Sequence, residues 1–586
     1  VKPASRARVA APAIPPEWWL ALLAAAAATI AYWNSLHYGF AQDAFTWLAR
    51  SRGLIPHTTG WWRTVSYDAY YRVMDGMFGL DPFPYRVVGL GLHALNTVLF
   101  TLLGLRLGLS RAAVFAAAMF FAAHNAHFDT LFAIASISEL LAATFVLLAL
   151  WMALPPAGSA AGIAREVGVT VAFALGLLSK ETVVLFPAVL WLIGRLWPGA
   201  ARRAVVPCAI LSAIYLVVFW VTDPVGSLHA ARGANVYEPR VSWGLLSAWA
   251  TYQAWSVHLF NFQASDLHDR IALHPEGWLV TAAGIVTLEL LISRSRRAHR
   301  LEPRLPAAAI GAATYTAFVA PVLPLLTHSF HLYLYLPLTG FGWMLAAAWD
   351  AWVPTRARWI AWLLGLWMAW QGALIVRAME EAPMKGTHLP FMGSVRRAVT
   401  AGRLLKGLGD ATAPLPDSLV MLGPDALSPP TRPDTTQLGA FLFNDVAGAL
   451  NEGTGVRVAF PRVRHVSFYG DLGPWLTQPD AVVFSYEGNV LRGPTAWLYL
   501  RRAQVEWDAG HVPPAAVAMN QADTLTHRWI TEGPGPWRSE GLEGIRRQAQ
   551  AMIDAESART YGSDDPRAAT RPGYVAALRR ILEIAR

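Results

Sequence analysis

Long apolar runs separated by short bursts of charge organise the first two thirds of this chain. A helix rises about 1.5 Å per residue, so about 20 residues cross about 30 Å of hydrocarbon. On that ruler, about eleven stretches predict membrane-spanning helices. They are Glu17–Leu36, Tyr85–Leu105, Ala112–Ala123, Leu131–Leu154, Ile163–Leu178 and Thr182–Trp197, followed by Ala204–Val221, Trp278–Ile292, Pro306–Leu326, Leu332–Trp349 and Trp359–Val376. After Val376 the runs stop. Ser418–Leu422, Val456–Phe460 and Ala481–Tyr486 alternate as short strands do, whereas Gln437–Asn451, Leu542–Glu556 and Gly573–Ile584 carry helical spacing. The expected fold is therefore a polytopic α-helical membrane domain, residues 1–377, followed by an α/β domain, residues 378–586.

Composition agrees with that pattern. Of 586 residues, 54% are hydrophobic and only 15% charged, against about 25% in an ordinary soluble protein. Mean hydropathy is +0.34. These figures exclude disorder, collagen and a disulfide scaffold, and Cys208 alone forms no intramolecular disulfide. A net charge of +9 in a soluble protein would point to nucleic acid. Here the basic residues sit in alternate loops: Lys2, Arg6 and Arg8, then Arg106 and Arg111, Arg165, Arg195 with Arg202 and Arg203, the cluster from Arg294 to Arg304, and Arg356 with Arg358. Basic loops favour the cytoplasm, so the N-terminus is expected inside, with the two long loops and the C-terminal domain extracytoplasmic. No nucleic-acid partner is expected. The Ala-, Arg- and Trp-rich composition favours a bacterial inner membrane.

Ionisable residues at span mouths are costly and therefore candidates for function. Asp43, in Tyr38-Gly39-Phe40-Ala41-Gln42-Asp43, follows the first predicted span. Aromatic neighbours that bury it would raise its pKa, as suits a general base; a helix-start cap is the plainer reading. Arg63 opens an amphipathic stretch and either meets a lipid phosphate or reaches for headgroups. His93 and Asn96 share a helix face and are expected to hydrogen-bond to a neighbouring helix. His124 and Asp129 lie between the third and fourth spans, with Glu139 deeper in the fourth, expected to face the bundle interior. Ser179-Lys180-Glu181 puts a lysine in an otherwise neutral outer loop, where it binds phosphate or pairs locally with Glu181. His328, His331 and Tyr333 crowd another outer mouth. Acids, cations and imidazoles on one membrane face suit transfer of a sugar from a polyprenyl phosphate. That leaving group is already a stable anion, so one base on the acceptor and cationic donors on the phosphate suffice.

The order of these motifs resembles the GT-C class of polytopic glycosyltransferases, in its protein O-mannosyltransferase-like branch, which includes the transmembrane and tetratricopeptide-containing mannosyltransferases. The resemblance covers roughly residues 17–376 and rests on Gly39-Phe40-Ala41-Gln42-Asp43, Trp62-Arg63-Thr64 and Phe78-Gly79-Leu80-Asp81-Pro82. It rests further on His93 and Asn96, His124 with Asp129, Leu178-Ser179-Lys180-Glu181, and His331-Leu332-Tyr333-Leu334-Tyr335-Leu336-Pro337. It implies inverting transfer of mannose or a similar hexose or pentose to a protein, lipid or glycan acceptor. Asp43 would be the general base that activates the acceptor hydroxyl, with Asp129 a supporting acid in the second outer loop. Lys180, Arg63, His331 and Tyr333 would contact the donor phosphate, with Glu181, His124 and His328 in support. A divalent cation, Mg²⁺ or Mn²⁺, is the cofactor it leaves open. The chain departs from the family pattern at Ala44, where a second acid is common, at His331, where arginine is common, and in lacking the repeats. Two other readings compete: a transporter or flippase for lipid-linked sugars, which predicts broken helices paired between two halves, and an inactive lipid-binding scaffold.

Overall fold

The computed structural model describes residues 16–586 apart from 57–60, 157–158, 225, 227–236, 258–274, 299–301, 327, 385–386, 411–414, 424–432, 471, 473–475, 487 and 534–537. The topology residues Lys2, Arg6, Arg8 and Arg300 lie outside the described set. Two compact units form, one of Val1–His37 with His57–Ala382, the other of Tyr38–Pro56 with Pro383–Arg586. The division differs from a single boundary at residue 377, because the segment carrying Asp43 folds with the C-terminal part of the chain.

Every predicted spanning stretch of the first unit is helical at its centre. Among the described residues seven helices are long and apolar enough to cross a membrane: Glu17–His37, Pro82–Arg106, Ile134–Ala153, Arg202–Thr222, Glu276–Ala298, Leu305–Val322 and Ile360–Glu381. The protein is thus a helical membrane protein. Four predicted spans are shorter helices: Arg111–Ala122 of 12 residues, Ile163–Leu177 of 15, Phe186–Leu196 of 11 and Pro337–Trp352 of 16. The last two are entered through 3₁₀ turns, Glu181–Leu185 and His331–Leu334. Pro187 and Pro337 stand in the first turn of the helices that follow, where a missing N–H costs nothing.

Several helices keep apolar side chains on the outside. Ile210, Ile214, Val217 and Val221 are exposed along Val205–Thr222, as are Leu363, Leu366, Trp367 and Trp370 along Ile360–Glu381. Stripes at this spacing are stable against lipid and not against water. Inward, glycine lets helices approach closely. A Cβ at Gly340 would stand 2.4 Å from the carbonyl oxygen of Gly311, across the contact between Leu305–Val319 and Pro337–Trp352. This is small-residue packing of the kind that holds helices together in lipid. The second long loop holds a helix the sequence pattern does not predict, Gly244–Val257, packed on Pro275–Ala298. It buries Thr251, Gln253 and Ser256 together with Tyr252 and Trp255, so no polar face marks it out.

The second unit is built on a four-stranded sheet of order β2-β1-β3-β4, with β1 Ser418–Leu422, β2 His465–Tyr469, β3 Asp480–Phe484 and β4 Val490–Pro494. β1 lies parallel to β2 and β3, and β4 runs antiparallel to β3. Helices Thr495–Asp508, Val512–Glu532, Arg538–Ser557 and Pro566–Ile584 pack into one core, in which Trp507 stacks on Tyr574 with centroids 4.0 Å apart. The expected strand at Val456–Phe460 is instead the helix Thr454–Ala459. Its Val456 and Val458 are both fully buried because neighbours lie on more than one side: β2, Gly393–Gly409 and the helix Asp43–Ser51. Burial all round imitates the alternation of a strand. Phe45 packs against Gly455, where a Cβ would meet its ring at 2.8 Å, and the Gln42 N–H donates to the Ala449 carbonyl at 2.9 Å.

Candidate functional site

Within the first unit the predicted residues converge on three irregular entries to helices. Arg63 has a left-handed backbone, φ 51° and ψ 34°, and is followed by a π-helical turn, Thr64–Ala69. Neither conformation is usual for a non-glycine residue at a helix start, and both occur preferentially at functional sites. The turn is tied to the Leu178–Ser179 corner. The Val65 N–H donates to the Leu178 carbonyl at 3.2 Å, and the Ser66 hydroxyl to the Ser179 carbonyl at 2.8 Å. These bonds set Arg63 beside Lys180 and Glu181.

The pairing differs from the local one considered from sequence. Glu181 pairs with Arg63, whose Nε donates to Oε2 at 2.8 Å and whose Nη2 donates to Oε1. Lys180, 4% exposed, pairs with Glu139 from the fourth predicted span. Lys180 Nζ also lies 5.0 Å from the centre of the Tyr333 ring, and Arg63 lies over Trp62 at 4.5 Å. Two cations and two carboxylates thus form a charge-balanced group under aromatic cover. Burial works to raise the Glu181 carboxyl, but the charge and hydrogen bonds of Arg63, helped by Lys180, bring it down to about 2. Such a group contributes stability that is complete above its ordinary 4.5 and is lost as pH falls through about 2. The thermal midpoint of the wild-type protein should therefore exceed that of Glu181→Gln above pH 4.5, and the gap should close as the pH falls through about 2. A gap constant across that window would remove Arg63 as its cause.

His328 lies in the same region, packed on Tyr237 at 4.1 Å and Phe330 at 4.5 Å. Burial and then the charge of Lys180 push its pKa down to about 4, so it is neutral at physiological pH. His331 stacks on Trp255, centroids 4.1 Å apart. Two buried donors beside the ion pairs have no hydrogen-bond partner among the described residues: Trp61 Nε1 and the Tyr215 hydroxyl, whose rings meet edge to face at 5.1 Å. A buried unpaired donor costs about 1–3 kcal/mol. An oxygen acceptor, from water or from a ligand, removes that cost. Sequence reasoning attached no role to Tyr215. It sits inside an apolar run, and only its meeting with Trp61 reveals it.

Other predicted residues are placed elsewhere or otherwise. His124 is fully buried and caps the turn Asn125–His127, its Nδ1 accepting from the Ala126 N–H at 3.1 Å and its Nε2 meeting the Ser256 carbonyl at 3.2 Å. His93 and Asn96 bond across helices, as their shared face suggests: His93 Nδ1 to the Tyr335 hydroxyl at 2.8 Å, and Asn96 Nδ2 to the Leu140 carbonyl at 3.1 Å. Asp129 lies partly exposed in the short helix Phe128–Phe132. Asp43 belongs to the second unit, where it begins the helix Asp43–Ser51 and is exposed. The aromatic burial expected for it is absent, because Phe40 and Phe45 turn inward, at 7% and 2% exposure. The residue before it is strained: Gln42 has φ 51° and ψ −130°, a region that belongs to glycine.

Among the described residues no three His, Cys, Asp or Glu side chains converge to hold a metal ion. Glu139 and Glu181 already serve Lys180 and Arg63. Compared with family models, curated proteins and solved structures, the chain matches none of them.

Proposed function

We propose that the protein is a membrane glycosyltransferase that moves a sugar, mannose or a similar hexose or pentose, from a polyprenyl-phosphate donor to an extracytoplasmic acceptor hydroxyl with inversion. One observation carries the reading. The buried Lys180 and the partly buried Arg63 stand among aromatic rings beside two donors without a partner among the described residues, Trp61 Nε1 and the Tyr215 hydroxyl. Glu139 and Glu181 hold the cations in place. An ammonium has three N–H donors, and Glu139 accepts from Lys180, so phosphate oxygens have donors left to meet. Lys180, Arg63, His331 and Tyr333 are the proposed donor-phosphate residues, with Glu181, His124 and His328 in support.

In the transfer step the acceptor oxygen attacks the anomeric carbon from the face opposite the phosphate. The bond from that carbon to the phosphate oxygen breaks, and the lipid phosphate leaves with the electron pair. The hydroxyl proton passes to the Asp43 carboxylate, with Asp129 as a supporting acid. No acid is needed for the leaving group. Eleven spans, a cytoplasmic N-terminus, an extracytoplasmic C-terminal domain and a bacterial inner membrane complete the proposal; the acceptor is a protein, lipid or glycan.

The test is transfer by purified protein in liposomes, with a panel of polyprenyl-phosphate sugars and the anomeric configuration of the product read by NMR. Release of lipid phosphate with a product of inverted configuration is the expected result. Sugar translocation without transfer would favour the flippase reading, and donor binding without either would favour the scaffold.

A further inference from the structure

A cleft in the C-terminal unit, of about 180 Å³, lies where β3, β4 and the helix Arg538–Ser557 come together. Its wall holds the indoles of Trp497 and Trp529, the ion pair of Asp480 with Arg492, and the charged side chains of Glu540 and Arg547. Arg492 Nη2 meets Asp480 at 2.8 Å, both side chains being under 10% exposed, so these polar atoms are held rigidly. Glu540 and Arg547 stand exposed at the rim.

The glycines on its helix explain why the cleft exists. Helix interiors disfavour glycine by about 1 kcal/mol relative to alanine. Gly541 has a packing reason: a Cβ there would lie 2.6 Å from the Trp529 ring. Gly544, one turn on, has none, since a Cβ would meet nothing within 4 Å. Its missing side chain keeps the cleft open.

The chemistry of the wall selects its ligand. Two carboxylates and two guanidiniums balance, so the lining has no net preference for an anion or a cation. It offers acceptors and donors side by side, with aromatic surface between them. A neutral sugar has the matching character, with hydroxyls that donate and accept around a ring and a C–H face that lies against an indole. We infer that the Asp480–Arg492–Trp497–Gly544 cleft binds a neutral saccharide. The site is separate from the transfer reading and does not depend on it.

The experiment titrates full-length protein, in a detergent without a sugar headgroup, with maltotriose, cellotriose and mannotriose, and with the anionic trimer of galacturonate, following saturation-transfer NMR. At least one neutral trisaccharide should bind saturably and better than the galacturonate trimer. Gly544→Leu, which fills the cleft, and Trp497→Ala should each weaken it about tenfold or more. Gly402→Leu, at an equally open position in another helix of the same unit, should leave binding unchanged. A thermal midpoint shared by Gly544→Leu and wild type confirms that the fold is kept. The inference is overturned if no neutral trisaccharide binds, if the galacturonate trimer binds best, or if Gly544→Leu binds as wild type does.

Discussion

Replacing Asp43 by asparagine is expected to lower the rate of sugar transfer by about 10²–10⁴-fold, the range a positioned general base supplies. Membrane insertion and folding should be unaffected. The substitution keeps the size and most of the hydrogen-bonding capacity of the side chain and removes only its ability to take a proton at neutral pH. Its structural cost is small, because Asp43 is an exposed residue in the first turn of a nine-residue helix. Losing a carboxylate from such a helix start costs about 0.3–1 kcal/mol. A second observation argues against a mere surface acid. Gln42 holds a glycine-like backbone immediately before it, anchored through its N–H to Ala449, and strain of this kind costs about 1–3 kcal/mol. Turnover is measured at saturating polyprenyl-phosphate sugar, alongside the melting temperature. A variant that melts normally and turns over at the wild-type rate would take the base away from Asp43.

The second large effect concerns Lys180. Removing it alone, as Lys180→Ala, strands Glu139 without its partner at 4% exposure. Breaking one side of a buried ion pair costs about 3–5 kcal/mol, so this variant should melt early and bind donor poorly, and the two effects cannot be separated in it. The double variant Lys180→Met with Glu139→Leu separates them. Replacing both charges by apolar groups of similar size is often neutral or stabilising, so the melting temperature should return to near the wild-type value. Donor binding should stay lost, and acceptor binding should be largely kept. Recovery of donor affinity in the double variant would reduce the Lys180–Glu139 pair to a structural brace and remove Lys180 from the phosphate.

Much of the membrane unit was readable from residue order because lipid imposes a simple demand. A spanning segment satisfies its backbone internally and shows apolar side chains outward, and both requirements appear as uninterrupted apolar runs. Helix therefore forms in every predicted stretch, from Glu17–His37 to Ile360–Glu381. Length was harder to read. Phe186–Leu196 begins later than the predicted Thr182–Trp197 because Glu181–Leu185 winds as a 3₁₀ turn, a local choice that hydropathy does not register. In the second unit, β1 and β3 follow the alternation of Ser418–Leu422 and Ala481–Tyr486, whereas Val456 and Val458 carry the same signal inside a helix. Alternation reports burial, and burial on several sides produces it in either conformation.

The candidate site divides along the same line. Arg63, Lys180 and Glu181 stand out in sequence because charge at a span mouth is expensive, a property of residue type and position. Their partners do not follow from that property. Glu139 reaches Lys180 across 41 residues, Glu181 turns from its neighbour to Arg63 across 118, and Tyr215, on the helix Val205–Thr222, meets Trp61 in the turn before Arg63. Residue order thus determined that the chain is a helical membrane protein carrying charged residues at the ends of its helices. Tertiary structure decided which charges neutralise each other, which donors are left over, and that Asp43 folds with the C-terminal unit. Hydrophobicity acts on each segment separately and can be summed along the chain, whereas ion pairs and orphaned donors depend on which distant segments meet.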